Sequence, residues 1–215
     1  MTDLIIFDCD GVLIDSEPIA CRTMETALNN FGVAISYEEV VEHHIGTSIK
    51  GVIADIKDRY EVDLTPEFWA GHLALFLAAI ETDLEPIVGI ENLLDQLDLP
   101  SCVASSGRML RLKPALETVG LYNRFAPHIF NAEMVKHAKP APDLFLHAAS
   151  QMNTTPSNCV VIEDSKAGVT AAKAAGMYCI GFTGGGHCGP GHAEVLQGLG
   201  ADVVIDDMSK LLALL

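Results

Sequence analysis

Apolar residues occur along this chain in two distinct patterns. Short continuous runs rich in β-branched side chains are typical of strands buried on both faces of a sheet. Longer segments with apolar positions three and four residues apart are typical of amphipathic helices. The continuous runs predict strands at Leu4–Phe7, Ser101–Ser106, His128–Asn131, Cys159–Asp164, Tyr178–Phe182 and Ala201–Ile205.

The helical patterns fall into two groups. Between Glu17 and Glu85 only helices are predicted, at Ile19–Phe31, Ser36–His44, Ser48–Tyr60 and Pro66–Leu84. From Pro86 onward helices alternate with the strands, at Gly89–Leu97, Arg108–Val119, Pro142–Met152, Lys166–Ala175 and Ser209–Leu214.

Alternation of strand and helix favours a parallel sheet with right-handed crossovers. The all-helical stretch interrupts this alternation directly after the first strand. We therefore predict an α/β protein with a doubly wound, parallel-sheet core formed by residues 1–15 and 87–215. An all-helical cap domain is predicted at 16–86.

Composition narrows the range of partners. The chain has 215 residues, and its 49% hydrophobic content is sufficient for a sizeable core. It carries 13 Lys+Arg against 29 Asp+Glu, a net charge of −16, which disfavours nucleic acid and anionic membranes as partners. An anionic substrate would have to be attracted by a local cation.

The cysteines indicate a reducing compartment. Four of the six, Cys9, Cys102, Cys159 and Cys179, lie in or beside apolar runs and are interpreted as small core residues. No Cys-x-x-Cys pair, signal-peptide pattern or apolar stretch of membrane-spanning length is found. We expect a cytoplasmic protein.

Two aspartates and a glycine follow the first strand, in Asp8-Cys9-Asp10-Gly11. Two neighbouring carboxylates remain ionised at neutral pH only with a cation between them, unless they share a proton. Oxygen ligands without a nearby histidine indicate Mg²⁺. The alternative is a structural turn, but a buried strand rarely ends in two charges without a functional reason.

Three later segments carry polar residues near predicted strand ends. Ser105, with the backbone N–H groups of Ser106 and Gly107, suits phosphate oxygens, although an N-cap serine is the alternative.

Lys139 precedes two prolines in Lys-Pro-Ala-Pro-Asp and could neutralise a phosphate and a carboxylate together; Lys136 is a rival. The doublet Glu163-Asp164 ends the most hydrophobic late strand, where paired acids need a cation unless they form a solvated turn.

Together these motifs resemble those of the haloacid dehalogenase superfamily. The fullest matches are Asp-x-Asp-Gly-Val, Lys-Pro-x-Pro-Asp and Glu-Asp-Ser-x-x-Gly, in the superfamily's order along the whole chain. They point to the β-phosphoglucomutase-like and sugar phosphatase branch, which carries a helical cap.

The resemblance implies a role for each motif residue. Asp8 would be the nucleophile that forms an aspartyl-phosphate, and Asp10 the general acid and base. Asp8, Asp164 and the backbone carbonyl of Asp10 would bind Mg²⁺, with Glu163 direct or through water. Ser105 and Lys139 would hold the phosphoryl oxygens.

The cap loop distinguishes phosphatase from mutase. Ile49 stands where β-phosphoglucomutase has an arginine for a second phosphate, and Ala20 where it has a histidine. Ser48 and Lys50 remain candidate substrate contacts. We therefore expect a phosphatase acting on a small sugar phosphate or sugar-acid phosphate, as a monomer or weak dimer, with a phosphosugar mutase as the alternative.

A catalytically inert binding protein on the same fold is a further alternative, but such a chain would be expected to lose Asp8, Asp10 or Lys139. The segment Gly184–His192 is rich in glycine and contains two histidines and a cysteine. Its spacing fits no zinc pattern, so a flexible surface loop is expected.

Overall fold

The computed structural model describes residues 2–45, 47 and 49–215, and within them the chain divides into two compact units. The first unit comprises residues 1–15 and 85–215, and the second comprises residues 16–84. Among the described residues, no helix combines the length and apolar character that a membrane span requires.

The first unit is built on a six-stranded sheet in which every pair of neighbouring strands is parallel. This confirms the predicted parallel α/β sheet. The strands are β1 (Leu4–Phe7), β2 (Ser101–Ser105), β3 (Ile129–Asn131), β4 (Cys159–Glu163), β5 (Tyr178–Phe182) and β6 (Val203–Ile205). Their order is β3-β2-β1-β4-β5-β6, so the direction of winding reverses between β1 and β4.

Helices connect these strands. They are α5 (Ile90–Gln96), α6 (Met109–Thr118), α7 (Tyr122–Phe125), α8 (Asp143–Gln151), α9 (Lys166–Ala174) and α10 (His192–Gly198). Short 3₁₀ segments lie at Ala132–Met134, Pro156–Asn158 and Met208–Leu214. The sequence pattern did not predict α7 or α10; α7 is a single turn of four residues, too short to show a helical period.

The core of this unit lies against both faces of the central strand β1, whose four residues are fully buried. Leu4 and Ile6 pack in one apolar cluster with α8, α9 and α10. On the other side, the Phe7 ring meets Phe125 of α7 edge-on, with ring centroids 6.0 Å apart. Alternate residues of a strand face opposite sides, so a continuous apolar run is what a sheet covered on both faces requires.

The second unit is helical in its described residues. Its helices are α1 (Glu17–Asn30), α2 (Tyr37–His44), α3 (Ile49–Tyr60) and α4 (Pro66–Asp83). One apolar cluster, including Met24, Leu28, Ile56 and Phe68, forms its interior. A capping box starts α2: Ser36 Oγ accepts from the Glu39 N–H at 3.3 Å, and Glu39 Oε2 accepts from the Ser36 N–H at 3.1 Å.

Helix α9 approaches the end of β4 closely at Gly168. A Cβ on Gly168 would lie 1.6 Å from Glu163 Oε1. The Glu163 side chain is fully buried, and its Oε2 accepts hydrogen bonds from the backbone N–H and hydroxyl of Ser165 at 2.7 and 2.9 Å. The glycine of Glu-Asp-Ser-x-x-Gly therefore provides the space that the buried glutamate occupies.

Gly168→Ala is expected to destabilise the protein by about 3 kcal/mol, because the new methyl displaces a buried carboxylate from its partners. Gly71→Ala in α4 is the matched control. A Cβ on Gly71 meets nothing within 4 Å, so this variant should gain up to about 1 kcal/mol. Denaturant unfolding of both variants measures the difference, and equal stabilities would contradict the close approach of Glu163 to α9.

Thiol reactivity offers a second test of the fold. Five cysteines are buried, and Cys188 alone among the six is partly exposed. Burial raises the pKa of Cys21 and Cys179 to about 12 and that of Cys159 to about 11, so their thiols hold little reactive thiolate at neutral pH.

A disulfide reagent added to the native, chelator-treated protein is expected to modify one thiol rapidly and all six only after denaturation. Cys188→Ser should remove the rapid reaction and leave the total in denaturant lower by one. Rapid modification of the Cys188→Ser variant would show that a thiol assigned to the core is accessible.

Candidate active site

Acidic residues meet where the winding of the sheet reverses. Asp8 directly follows β1, Glu163 ends β4, and Asp164 follows it. The two strands are adjacent, with Phe7 paired to Ile162, and the Asp8 N–H donates to the Ile162 carbonyl at 2.9 Å. In doubly wound sheets, ligands bind at the carboxyl ends of the strands at this reversal.

Asp8, Glu163 and Asp164 form a compact carboxylate group. Each offers an oxygen within 4.8 Å of the others, and the three residues are 7%, 0% and 3% exposed, respectively. Buried carboxylates this close together repel strongly and need compensating positive charge.

Lys139 supplies one positive charge to this group. Its Nζ donates to Asp8 Oδ1 and to Glu163 Oε1, both at 2.7 Å, and its side chain is 1% exposed. The ammonium also lies 4.6 Å from the centroid of the Phe145 ring. Lys136, the rival from the sequence, is exposed.

The carboxylates and the lysine shift one another's pKa values. Burial raises the pKa of Asp8, Lys139 opposes this effect, and Glu163 and Asp164 add to it, with a net pKa above the ordinary value. Burial lowers the pKa of Lys139, but Asp8 and Glu163 outweigh burial and raise it above its ordinary value. The lysine therefore remains a full positive charge at neutral pH.

The net negative charge of this group favours binding of a further cation. With all three carboxylates ionised, one ammonium leaves two negative charges in a buried site, and an ion with oxygen ligands such as Mg²⁺ fits this donor set. Both Glu163 oxygens already accept hydrogen bonds, Oε1 from Lys139 and Oε2 from Ser165. Asp8 and Asp164 are consequently better suited than Glu163 to contact an ion directly.

Gly11 explains the glycine of Asp-x-Asp-Gly. Its φ is +77°, a left-handed conformation, and a Cβ there would lie 2.0 Å from Asp164 Oδ2. Only glycine allows Asp164 to approach the loop after β1. Asp10, on the same loop, is half-buried and bridges to Ile14, and its carboxylate is not part of the group of three.

Ser105 ends β2, two residues beyond Val103, the strand partner of Phe7. It is 1% exposed, and its Oγ accepts from the Gly107 N–H at 2.9 Å. A hydroxyl that accepts one hydrogen bond still has its own hydrogen to donate. The Gly107 amide is occupied by this bond, whereas Ser106 is exposed.

The segment after β5 contributes contacts that the sequence did not indicate. His187 Nε2 lies 2.9 Å from Asp164 Oδ2, and His192 Nε2 lies 2.6 Å from the Asp164 carbonyl oxygen. Asp15 Oδ1 accepts from the Gly186 N–H at 2.9 Å. The segment is exposed at Gly184, Gly186 and residues 189–191, as a surface loop would be, whereas the His187 side chain is only 6% exposed and its contact with Asp164 directs it inward.

The sequence predicted two substrate contacts in the cap, Ser48 and Lys50. Ser48 falls outside the described residues. Lys50 is exposed in the first turn of α3, and the neighbouring Ile49 is 57% exposed.

The family model for haloacid dehalogenase-like hydrolase matches residues 5–182. A 6-phosphogluconate phosphatase of Escherichia coli is 30% identical over 190 residues, which cover 87% of this chain and 86% of the relative.

Two solved structures are similar throughout. A conserved haloacid dehalogenase-like protein of unknown function from Agrobacterium tumefaciens has a TM-score of 0.88 and 40% identity, covering 100% of this chain and 97% of that one. A family hydrolase from Deinococcus radiodurans, with bound phosphate and sodium, has a TM-score of 0.82 and 31% identity, covering 99% and 94%. With a family match over most of its length, the chain belongs to the haloacid dehalogenase-like hydrolases.

Proposed function

We propose that this protein, a phosphomonoester hydrolase of the haloacid dehalogenase type, releases phosphate from a small sugar phosphate or sugar-acid phosphate. The reaction would depend on Mg²⁺ and pass through a phosphoryl group carried on Asp8. The observation that carries the proposal is the buried group of Asp8, Glu163 and Asp164 bridged by Lys139.

Asp8 is the proposed nucleophile. One of its carboxylate oxygens attacks phosphorus, an acyl-phosphate bond forms, and the ester P–O bond breaks. Asp10 donates a proton to the departing alkoxide and later removes one from the water that hydrolyses the acyl phosphate. Inorganic phosphate leaves, and Asp8 is regenerated.

Lys139 has two proposed tasks. Its hydrogen bonds to Asp8 and Glu163 fix the direction of the Asp8 carboxylate, and its charge offsets the negative charge on the transferred phosphoryl group. Ser105, through its hydroxyl hydrogen, is proposed to hold a phosphoryl oxygen.

Mg²⁺ would be held by Asp8, Asp164 and the Asp10 backbone carbonyl, with Glu163 through water. When bound, the ion supplies positive charge that polarises the phosphoryl oxygens. The donor set supports this assignment, since oxygen ligands are those that Mg²⁺ prefers.

The relatives support the choice of substrate class. The similar Escherichia coli protein is named for a sugar-acid phosphate, 6-phosphogluconate, and the similar Deinococcus radiodurans structure holds phosphate together with a cation. Substrate contacts by Ser48 and Lys50, a cytoplasmic location and a monomer or weak dimer stay predictions.

Asp8→Asn is expected to lower kcat by about 10⁴-fold or more, because the amide cannot accept the phosphoryl group. Release of free phosphate from 6-phosphogluconate and p-nitrophenyl phosphate, with and without Mg²⁺, measures this effect. Asp98→Asn, at an exposed carboxylate, is the matched control and should retain full activity. Chelation should stop phosphate release by the wild type, and added Mg²⁺ should restore it.

Analysis of the products formed from a sugar phosphate distinguishes the phosphatase from the alternative functions. A mutase given β-glucose 1-phosphate and a bisphosphate primer would form glucose 6-phosphate, whereas a phosphatase would release free phosphate. An inert binding protein would catalyse neither reaction. Turnover retained by Asp8→Asn would contradict the nucleophile assignment.

Lys139→Met should lower kcat by about 10²- to 10³-fold, because it removes the charge beside the transferred phosphoryl group while keeping much of the side-chain volume. Lys136→Met, three residues away and exposed, should leave kcat unchanged. Thermal unfolding of both variants separates loss of fold from loss of rate. A larger loss in the Lys136 variant would transfer the role to that residue.

A further inference from the structure

The segment after β5 gathers three metal-binding side chains that the proposed hydrolysis does not use. His187, Cys188 and His192 each offer a ligand atom, and these atoms lie within 4.8 Å of one another. All three residues are half-buried.

Two turns bring these side chains together. The Cys188 N–H donates to the Gly185 carbonyl at 3.0 Å, and the His192 N–H donates to the Gly189 carbonyl at 3.2 Å. Gly191 has a φ of +84°, which lets the chain reverse immediately before His192. These turns bring the three side chains together, although their spacing in the sequence resembles no common zinc motif.

Asp164 orients both imidazoles. His192 Nε2 lies 2.6 Å from the Asp164 carbonyl, and His187 Nε2 lies 2.9 Å from its carboxylate. A histidine that binds a metal through one ring nitrogen usually donates the other N–H to a carboxylate or carbonyl, as both do here. With Nε2 of each ring facing Asp164, Nδ1 would be the ligand atom of each histidine.

The distances between Cys188 and His187 are close to those of tetrahedral coordination. Zn–S and Zn–N bonds of about 2.3 and 2.0–2.1 Å place sulfur and nitrogen about 3.6 Å apart at a tetrahedral edge. Cys188 Sγ lies 4.0 Å from His187 Nδ1 and 3.4 Å from its Nε2. A small rotation of the thiol would close the longer distance.

We propose that His187, Cys188 and His192 form a binding site for Zn²⁺ or a similar thiol-preferring divalent cation, distinct from the carboxylate site. Three protein ligands leave a fourth position for water. Thiolate and imidazole donors exclude Mg²⁺, which prefers oxygen ligands, so the two sites select different ions.

Cobalt provides a spectroscopic test, because a Co²⁺–thiolate bond gives charge-transfer absorption in the near ultraviolet. Co²⁺ is titrated into the metal-free protein in the presence of excess Mg²⁺, which occupies sites built from oxygen. We expect this absorption to saturate at one equivalent and to disappear when Zn²⁺ is added.

Variants identify the ligands. Cys188→Ser should abolish the charge-transfer band, and His192→Ala should weaken Co²⁺ binding by about tenfold or more. His128→Ala, which removes an exposed imidazole elsewhere in the same unit, should leave binding unchanged. Asp8→Asn should keep the band, so the result does not depend on the proposed phosphatase chemistry.

Two outcomes would overturn the proposal. A wild-type protein without the band, or a Cys188→Ser variant that keeps it, would mean that the sulfur binds no ion and only hydrogen-bonds to His187. Unchanged Co²⁺ affinity in His192→Ala would mean that His192 does not bind the ion, so that the proposed three-ligand site does not exist.

Discussion

The central interaction of the site in the first unit is one buried ammonium, that of Lys139, held between carboxylates at the ends of two neighbouring strands. Its 2.7 Å contacts reach Asp8 and Glu163, which lie 131 and 24 residues away in sequence. Without it, three buried carboxylates would face one another uncompensated, a cost of several kcal/mol per ion. The adjacency of β1 and β4 and the glycines at positions 11 and 168 allow these charged groups to lie close together.

The two glycines of the acidic motifs have the same physical origin. Gly11 leaves space for the Asp164 carboxylate and Gly168 for that of Glu163, since a Cβ at either position would lie 2.0 Å or less from a carboxylate oxygen. These glycines therefore make room for charged groups, and only Gly11 also needs a left-handed backbone. In Glu-Asp-Ser-x-x-Gly the glycine makes room for an acid of the same motif, whereas in Asp-x-Asp-Gly it makes room for Asp164 of the other motif.

The sequence predicted the parallel α/β sheet because continuous apolar runs such as Leu4–Phe7 carry a local signal of burial on both faces. It also indicated which polar residues follow strands. It did not indicate the strand order, which decides that Asp8 and Glu163 become neighbours, nor the paired contacts of Lys139. The contacts of His187 and His192 with Asp164 accompany turns that start at Gly185 and Gly189, whose geometry leaves no periodic pattern in the chain.

Charge counting explains how a protein of net charge −16 could accept an anionic substrate. The ionised side chains Asp8, Glu163 and Asp164 contribute −3 and Lys139 contributes +1, which leaves −2. A divalent cation brings this cluster to zero, and a phosphate then meets a neutral group of oriented donors and acceptors. Surface charges beyond about 8 Å are screened at physiological salt, so this local balance outweighs the unfavourable field of the whole protein. In the proposed phosphatase, a divalent cation would therefore first neutralise this cluster so that an anion can enter, before any role in polarising the phosphoryl group.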